Sequence, residues 1–255
     1  MNQTIITDIT QGLTTAFIDH TVSSNLAYRP QFVSNNYKEG RKVISSIEDE
    51  LLSCEQFAIS VAFITMSGIT PLLQTLKELE KRGIPGRILT TDYLTFSDPK
   101  ALRKLEEFSN LHVKMYVTDQ TEEGFHTKGY IFKKEEMYRI IVGSSNMTLS
   151  ALTVNREWNT RIVSTEQGEY AQSVLTEFED LWNSPQAIEF EQFIDSYTEN
   201  YTRNKIIRKQ KELARQEQIP SLEAYRLQPN SMQTGFINNL QKIYDAGEDK
   251  ALLIS

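Results

Sequence analysis

At 255 residues, with a net charge of −7, 39% hydrophobic and 24% charged residues, the chain has the make-up of a soluble folded protein with a sizeable core and room for appendages. The acidic balance excludes a broadly basic surface for coating nucleic acid, and no apolar run approaches the ~20 residues needed to span a membrane. The start, MNQTIITDIT, lacks the basic-then-apolar pattern of a secretory leader, so a cytoplasmic, non-membrane protein is expected.

Residues 1–40 read as an irregular and partly helical arm, with a short helix around Ile5 to His20 and a polar extended stretch through Asn36. From Gly40 the pattern becomes regular. Arg41 to Leu52 predicts an amphipathic helix, and Gln56 to Ile64 a nearly continuous apolar run of the kind that makes a buried strand. Cys54, beside that run, reads as a buried thiol rather than a nucleophile and has no partner for a disulfide. Gly68 to Arg82 predicts a second helix, closed by Gly83-Ile84-Pro85, and Gly86 to Thr91 the next strand. Thr90, Thr91 and Tyr93 sit at that strand's end, where open sheets bind ligands and where turn residues also collect. Asp98 to Phe108 follows as a helix with Pro99 in its first turn, then His112 to Val117 as a strand. The alternation of strands and helices predicts an α/β fold, a mixed sheet flanked by helices.

The stretch from Phe125 to Glu157 concentrates residues suited to phosphate chemistry. His126 and Lys128 stand two apart, which on a strand puts them on one face. The charged run Lys133 to Glu136 predicts a hairpin tip, Tyr138 to Val142 the returning strand, and Gly143-Ser144-Ser145-Asn146 a sharp turn with small polar side chains. One strand end would then hold an imidazole, an ammonium, a hydroxyl and an amide. Trp158 to Ser164 predicts another strand, Gly168 to Asn183 a periodic helix whose aromatic residues belong to the core, and Ile188 to Tyr201 a further helix. Residues 203–226 read as an exposed connector helix, its Arg203, Lys205, Arg208, Lys209 and Lys211 a solvated face rather than a phosphate contact.

His126, Lys128, Gly143, Ser144, Asn146 and then Asn155-Arg156-Glu157 resemble the single-motif, Nuc-like nuclease branch of the phospholipase D superfamily, whose signature is H-x-K-x4-D-x6-G-S-x-N followed by N-x-E. The resemblance implies a phospholipase D-like fold over residues 41–202 and metal-independent cleavage of phosphodiesters. One histidine attacks phosphorus to give a phosphohistidine, a second protonates the leaving oxygen, and water completes the reaction. It implies His126 as nucleophile, Lys128 and Asn146 on the non-bridging phosphate oxygens, Ser144 as a further catalytic residue of the motif, and Glu157 hydrogen-bonded to the histidine's other nitrogen. Lys133 stands at the aspartate position, and the span from His126 to Asn146 is three residues longer than the pattern, which an insertion at the hairpin tip would explain.

The other histidines are His20 and His112. His112-Val113-Lys114 with Asp119 repeats the start of the motif, but no G-S-x-N follows at a hairpin's distance, so His112 reads as a strand histidine. The second imidazole is then expected from another copy across a twofold axis, which makes the chain a homodimer. Residues 227–255 resemble the entry segment of superfamily-two DEAD/DEAH-type helicases, with a Pro-x-x-Met-Gln turn, an amphipathic helix and the strand Ala251 to Ser255, and read as the truncated start of a helicase domain. No G-x-x-x-x-G-K-[ST] occurs, so ATP is expected only in a full-length parent and no cofactor in this fragment. The expectation is an N-terminal nuclease domain of a larger DNA helicase, with nucleic acid, DNA in particular, as its partner. A non-catalytic phosphate- or DNA-binding module is the alternative, and a lipid phosphodiesterase a third reading that the lack of a membrane-binding stretch disfavours.

Overall fold

The apolar run expected to be buried becomes β2 (Gln56–Val61), the strand about which an eight-stranded mixed sheet is built. The computed structural model describes residues 3–118, 124–217 and 231–247. Among these, β3 (Gly86–Thr91) and β4 (Leu111–Tyr116) run parallel to β2 on one side. The hairpin β5 (Lys128–Lys134) and β6 (Met137–Gly143) and then β7 (Asn159–Thr165) add antiparallel on the other. Two strands of three residues close the edges, β1 (Gln31–Val33) on β7 and β8 (Ala187–Glu189) on β4, giving the order β1-β7-β6-β5-β2-β3-β4-β8.

Helices cover both faces. On one side α2 (Val43–Ser53), α3 (Met66–Ile69), α4 (Leu73–Lys81), α5 (Pro99–Glu106), α6 (Leu149–Thr153) and the start of α8 (Phe190–Glu217) bury Ile47, Leu79, Leu102, Leu152 and Phe193 against Phe57, Ile59, Val113, Tyr130 and Phe132. On the other, α7 (Glu169–Trp182) lays Phe178 and Trp182 over Ala58, Leu89 and Ile131. Because alternate strand residues face opposite ways, Tyr130 and Phe132 go to the first core and Ile131 to the second. Cys54 is buried and its thiol is pushed up to about 11 by burial, which leaves it protonated.

The structure departs from the expected elements in four places. Residues 1–40 are more ordered than expected: α1 (Gln3–Phe17) is a full helix, and β1 pairs into the sheet rather than remaining irregular. The helix expected from Gly68 to Arg82 breaks into α3, a 3-10 turn (Thr70–Leu72) and α4 around Pro71, which has no N–H to continue the ladder. The helix expected from Ile188 begins at Phe190, after β8, and runs on to Glu217. The hairpin tip is a two-residue turn at Glu135 and Glu136, with Glu135 at φ 53°.

The chain divides into two compact units, with the boundary between Lys205 and Ile206. In the second, α9 (Ser231–Asp245) is the amphipathic helix expected there, with Phe236, Ile237, Leu240 and Tyr244 exposed along it. Asp119, the distal part of the connector and the expected strand Ala251 to Ser255 lie outside the described residues. No helix among the described residues is long and apolar enough to cross a membrane.

Candidate active site

Strand register alone brings the motif together. The start of β5 lies beside the end of β6, with Gly129 opposite Val142, and the end of β6 beside the start of β7, with Gly143 opposite Asn159. His126 and Lys128, the turn Ser144 to Asn146, and Glu157 therefore converge on one end of the sheet. It is also the end where the parallel strands β2, β3 and β4 finish, the usual place for ligands in sheets of this kind.

His126 does not lie in the strand, as the spacing suggested, but in the extended segment just before it. Thr127 anchors that segment to the end of β2: its hydroxyl meets Ser60 Oγ at 2.6 Å and its carbonyl accepts from Ala62 N at 3.1 Å. The exposed imidazole stands edge-on to Phe63, centroids 5.9 Å apart. Lys128 Nζ reaches His126 Nδ1 at 2.6 Å and donates to its carbonyl at 2.8 Å. Burial, and then the Lys128 cation, hold the His126 imidazole below its ordinary value, so it is neutral at neutral pH. Burial likewise draws Lys128 down from the lysine range, against the opposing pull of the nearby Glu157 charge.

Gly143 is required by close approach: a Cβ there would stand 2.2 Å from the Trp158 carbonyl oxygen and 2.5 Å from Asn159 Cα. Ser144 closes the gap from the other side. Its N–H donates to Trp158 O at 3.1 Å, its hydroxyl donates to Glu157 Oε2, and that hydroxyl accepts from Trp158 N at 3.1 Å. Asn146 accepts from Phe63 N through Oδ1 at 3.1 Å, which leaves its two Nδ2 hydrogens as the donors it can offer a ligand. Beneath the turn, Ser145 is fully buried. Its N–H and Oγ bond Asn159 at 3.3 and 2.9 Å, and its carbonyl accepts from the Tyr130 hydroxyl at 3.0 Å. Burial raises the Tyr130 phenol far above its ordinary value and keeps it a donor.

The five expected residues thus meet, but Glu157 does not hold the imidazole. Its carboxylate takes the Ser144 hydroxyl, and the partner at Nδ1 is Lys128. Lys133, at the aspartate position, points away from the cluster. By strand alternation it lies on the α7 face, where it pairs with Glu166 at 2.6 Å and sits over the Tyr138 ring. β5 and β6 pair without interruption from Gly129–Val142 to Lys134–Met137, so the added length lies in regular strand rather than in an enlarged tip.

His112 and Lys114 stay apart from the cluster. Both bond Glu189, at 2.7 and 2.9 Å, and both pack on Trp182 on the α7 face, with Val113 and Met115 turned to the opposite core. Lys114 lies in one register row with Leu89, Ser60 and Gly129, three strands from β5, or about 14 Å at the usual spacing. His20 is an exposed residue just after α1. Thr90 and Thr91 serve the turn beyond β3, with Thr90 bonded to Ala62 O and Ser97 and Thr91 to Tyr93 N.

Sequence reasoning missed the residues that hold the cluster. Asn35, in the N-terminal arm, donates to Ala151 O at 2.8 Å and to Asn155 O at 2.7 Å and accepts from Val43 N at 2.9 Å, which clamps the loop leading to Glu157 onto α2. Asn159 donates to Val33 O at 3.2 Å while it holds Ser145, tying the turn to β1. Neither role carries a local signal, because Ala151, Asn155 and Val33 lie more than a hundred residues from the side chains that bond them, and only Val43 and Ser145 are near in sequence.

Among solved structures, the chain is similar to NucT from Helicobacter pylori (15% identity, 64% of this chain and 99% of that one, TM-score 0.49) and to Nuc from Salmonella typhimurium, a phospholipase D family member (18%, 64% and 99%, 0.48). It is also similar to phosphatidylserine synthase from Haemophilus influenzae (15%, 72% and 46%, 0.48). No curated protein matches it. A family model described as cardiolipin synthase, PLD-like domain, matches residues 49–182, which is more than half of the chain and takes in every strand from β2 to β7 together with all five motif residues; the chain belongs to that phospholipase D-like family.

Proposed function

We propose that the chain is a phosphodiesterase that cuts nucleic acid, DNA in particular, by phosphohistidine catalysis without metal, and that two copies build each active site. The observation that carries this reading is the contact of His126 with Lys128 at the sheet end that also presents Ser144 and Asn146. In the first step His126 Nε2 bonds to phosphorus as the P–O bond to the leaving group breaks. A protonated imidazole gives its proton to that oxygen. In the second step water, deprotonated by the same imidazole, displaces the histidine nitrogen. Lys128 and the Asn146 amide face the charge that builds on the non-bridging oxygens, electrostatic stabilisation by donors already in place. The second imidazole is His126 of another copy, since His112 is bonded to Glu189 on the far face.

The helicase context rests on the sequence of residues 227–255. A nuclease joined to a motor would draw nucleic-acid affinity from its neighbour, which suits an acidic chain.

A second reading has a specific observation in its favour. With Lys128 rather than a carboxylate on His126 Nδ1, and Lys133 in place of the aspartate, the cluster suits phosphate binding without turnover. Hydrolysis of bis(p-nitrophenyl) phosphate in EDTA separates the two: turnover that disappears in a folded His126→Ala protein supports the nuclease, and its absence in the unaltered protein supports the binding module. Full activity in His126→Ala would remove His126 as nucleophile.

A further inference from the structure

Beside the cluster, the same sheet end carries two aromatic rings that the fold leaves in solvent. Trp158 follows Glu157 directly and is 73% exposed. Phe32, on the edge strand β1, is 58% exposed, and the rings meet edge to face with centroids 5.7 Å apart. Register explains their position. Phe32 lies opposite Thr160, while Val33 and Asn159, the pair one residue on, turn to the core side, where Val33 is buried and Asn159 holds Ser145. The aromatic pair is thus on the outer face at the sheet's margin.

Two large rings left mostly in water forgo part of the gain from burial, and a contiguous exposed aromatic pair is the kind of patch that marks a binding surface. The Trp158 backbone is fixed by two hydrogen bonds to Ser144, so the ring is rooted next to a residue of the cluster. Charge around the pair suits a polyanion. Arg156 is exposed two residues before Trp158, and Phe32 also lines an open cleft of about 620 Å3 walled in part by Arg29, Arg41 and Lys42. Asp49 lines the cleft too, and Glu39 pairs with Arg41 at 2.8 Å, so the positive excess is small and local in a chain that is acidic as a whole.

We propose that Phe32 and Trp158 form a stacking platform for unpaired bases, so that the phosphodiester delivered to His126 belongs to a single strand of nucleic acid. This deepens the nuclease reading and rests on it. In a duplex both faces of an interior base are covered by its neighbours, whereas an unpaired base can lie on an exposed ring, a contact worth about 1–3 kcal/mol per base and tolerant of sequence. The backbone of such a strand would run past Arg156 towards the basic wall of the cleft. Phe32 lies outside the stretch matched by the family model, so the platform is built partly by this chain's own arm.

Trp158 is its own reporter, because the chain has two tryptophans and the other, Trp182, is buried against Phe178 and His112. In His126→Ala protein, which leaves the oligonucleotide intact, single-stranded oligothymidylate should quench the tryptophan emission, and a duplex of equal length at equal concentration should not. Phe32→Ala should weaken the quench, and Trp158→Ala should lower the affinity for a dye-labelled single strand roughly 5- to 150-fold. Absence of quenching, or equal quenching by duplex, overturns the platform. So does conversion of a dimer to a monomer by Phe32→Ala and Trp158→Ala with single-strand affinity unchanged, which would make the rings a contact between copies. Turnover of bis(p-nitrophenyl) phosphate, which has no nucleobase, reads the chemistry separately: quenching without turnover leaves the platform and removes the nuclease, and turnover without quenching does the reverse.

Discussion

An ammonium has no lone pair, so in the 2.6 Å contact it is Lys128 that donates and His126 Nδ1 that accepts, which puts the neutral ring's own hydrogen on Nε2. An attacking Nε2 must shed that hydrogen, so a phosphate that draws Lys128 to its oxygens would also release Nδ1 to take the proton. The same contact adds to the depression of His126, because protonating a partly desolvated ring beside a cation is unfavourable twice over. The imidazole should therefore titrate below 6.5 when followed by NMR of its ring protons, and in Lys128→Gln its pKa should rise, though burial, the larger cause, stays in place. A pKa unchanged by that substitution would count against the contact. Lys133 supplies a second prediction. Lys133→Asp restores the family's residue type, yet it sets the carboxylate beside Glu166 on the face turned away from His126, so turnover of a small diester should not increase and stability should fall by about 0.2–1 kcal/mol in urea melts. At this scale the motif residues were legible in the sequence because chemistry and spacing coincide in them. The partner of Glu157 was not, because a hydrogen bond to Ser144 rather than to His126 depends on how two loops meet.

The elements that present those residues differ in how plainly the sequence announces them. β2 is a nearly continuous apolar run and β4 alternates apolar with polar residues, so both are readable from pattern, while β3, with Ile88 and Leu89 at its centre, is marked out by the Gly83-Ile84-Pro85 break before it. β1 and β8, three residues each, are too short for any periodicity and become strands only because neighbouring edges accept them. The break at Pro71 had its signal, a proline inside a helical pattern, in plain view. β1 matters beyond its length, since Asn35, two residues after it, holds the segment before Glu157 by two hydrogen bonds and ties it to α2 by a third. Asn35→Ala should cost about 1–3 kcal/mol of stability. It should also lower kcat for a small diester on the order of 10-fold or more, with less change in KM, because the loop carrying Glu157 would lose its registration with Ser144. Equal losses in kcat and stability-corrected binding, or none in kcat, would reduce Asn35 to a packing residue.

For the molecule as a whole, three histidines with only one in the cluster make the count of copies the decisive quantity. Light scattering should return a mass near twice 29.4 kDa, and a chain that stays at that single mass while hydrolysing diesters would require a different proton donor. The sheet order also has a consequence for how the protein is made. The first strand to leave the ribosome joins the sheet beside the seventh, and Asn35 waits for Asn155, 120 residues further on. At ordinary synthesis rates that is a delay of roughly 6–24 s, in which the arm has no native seat and the unmatched edge of the sheet does not yet exist. Until Asn155 has been made, neither the β1 edge nor the Glu157 loop has its partner, so the end of the sheet that gathers His126, Ser144 and Glu157 would close as a single event.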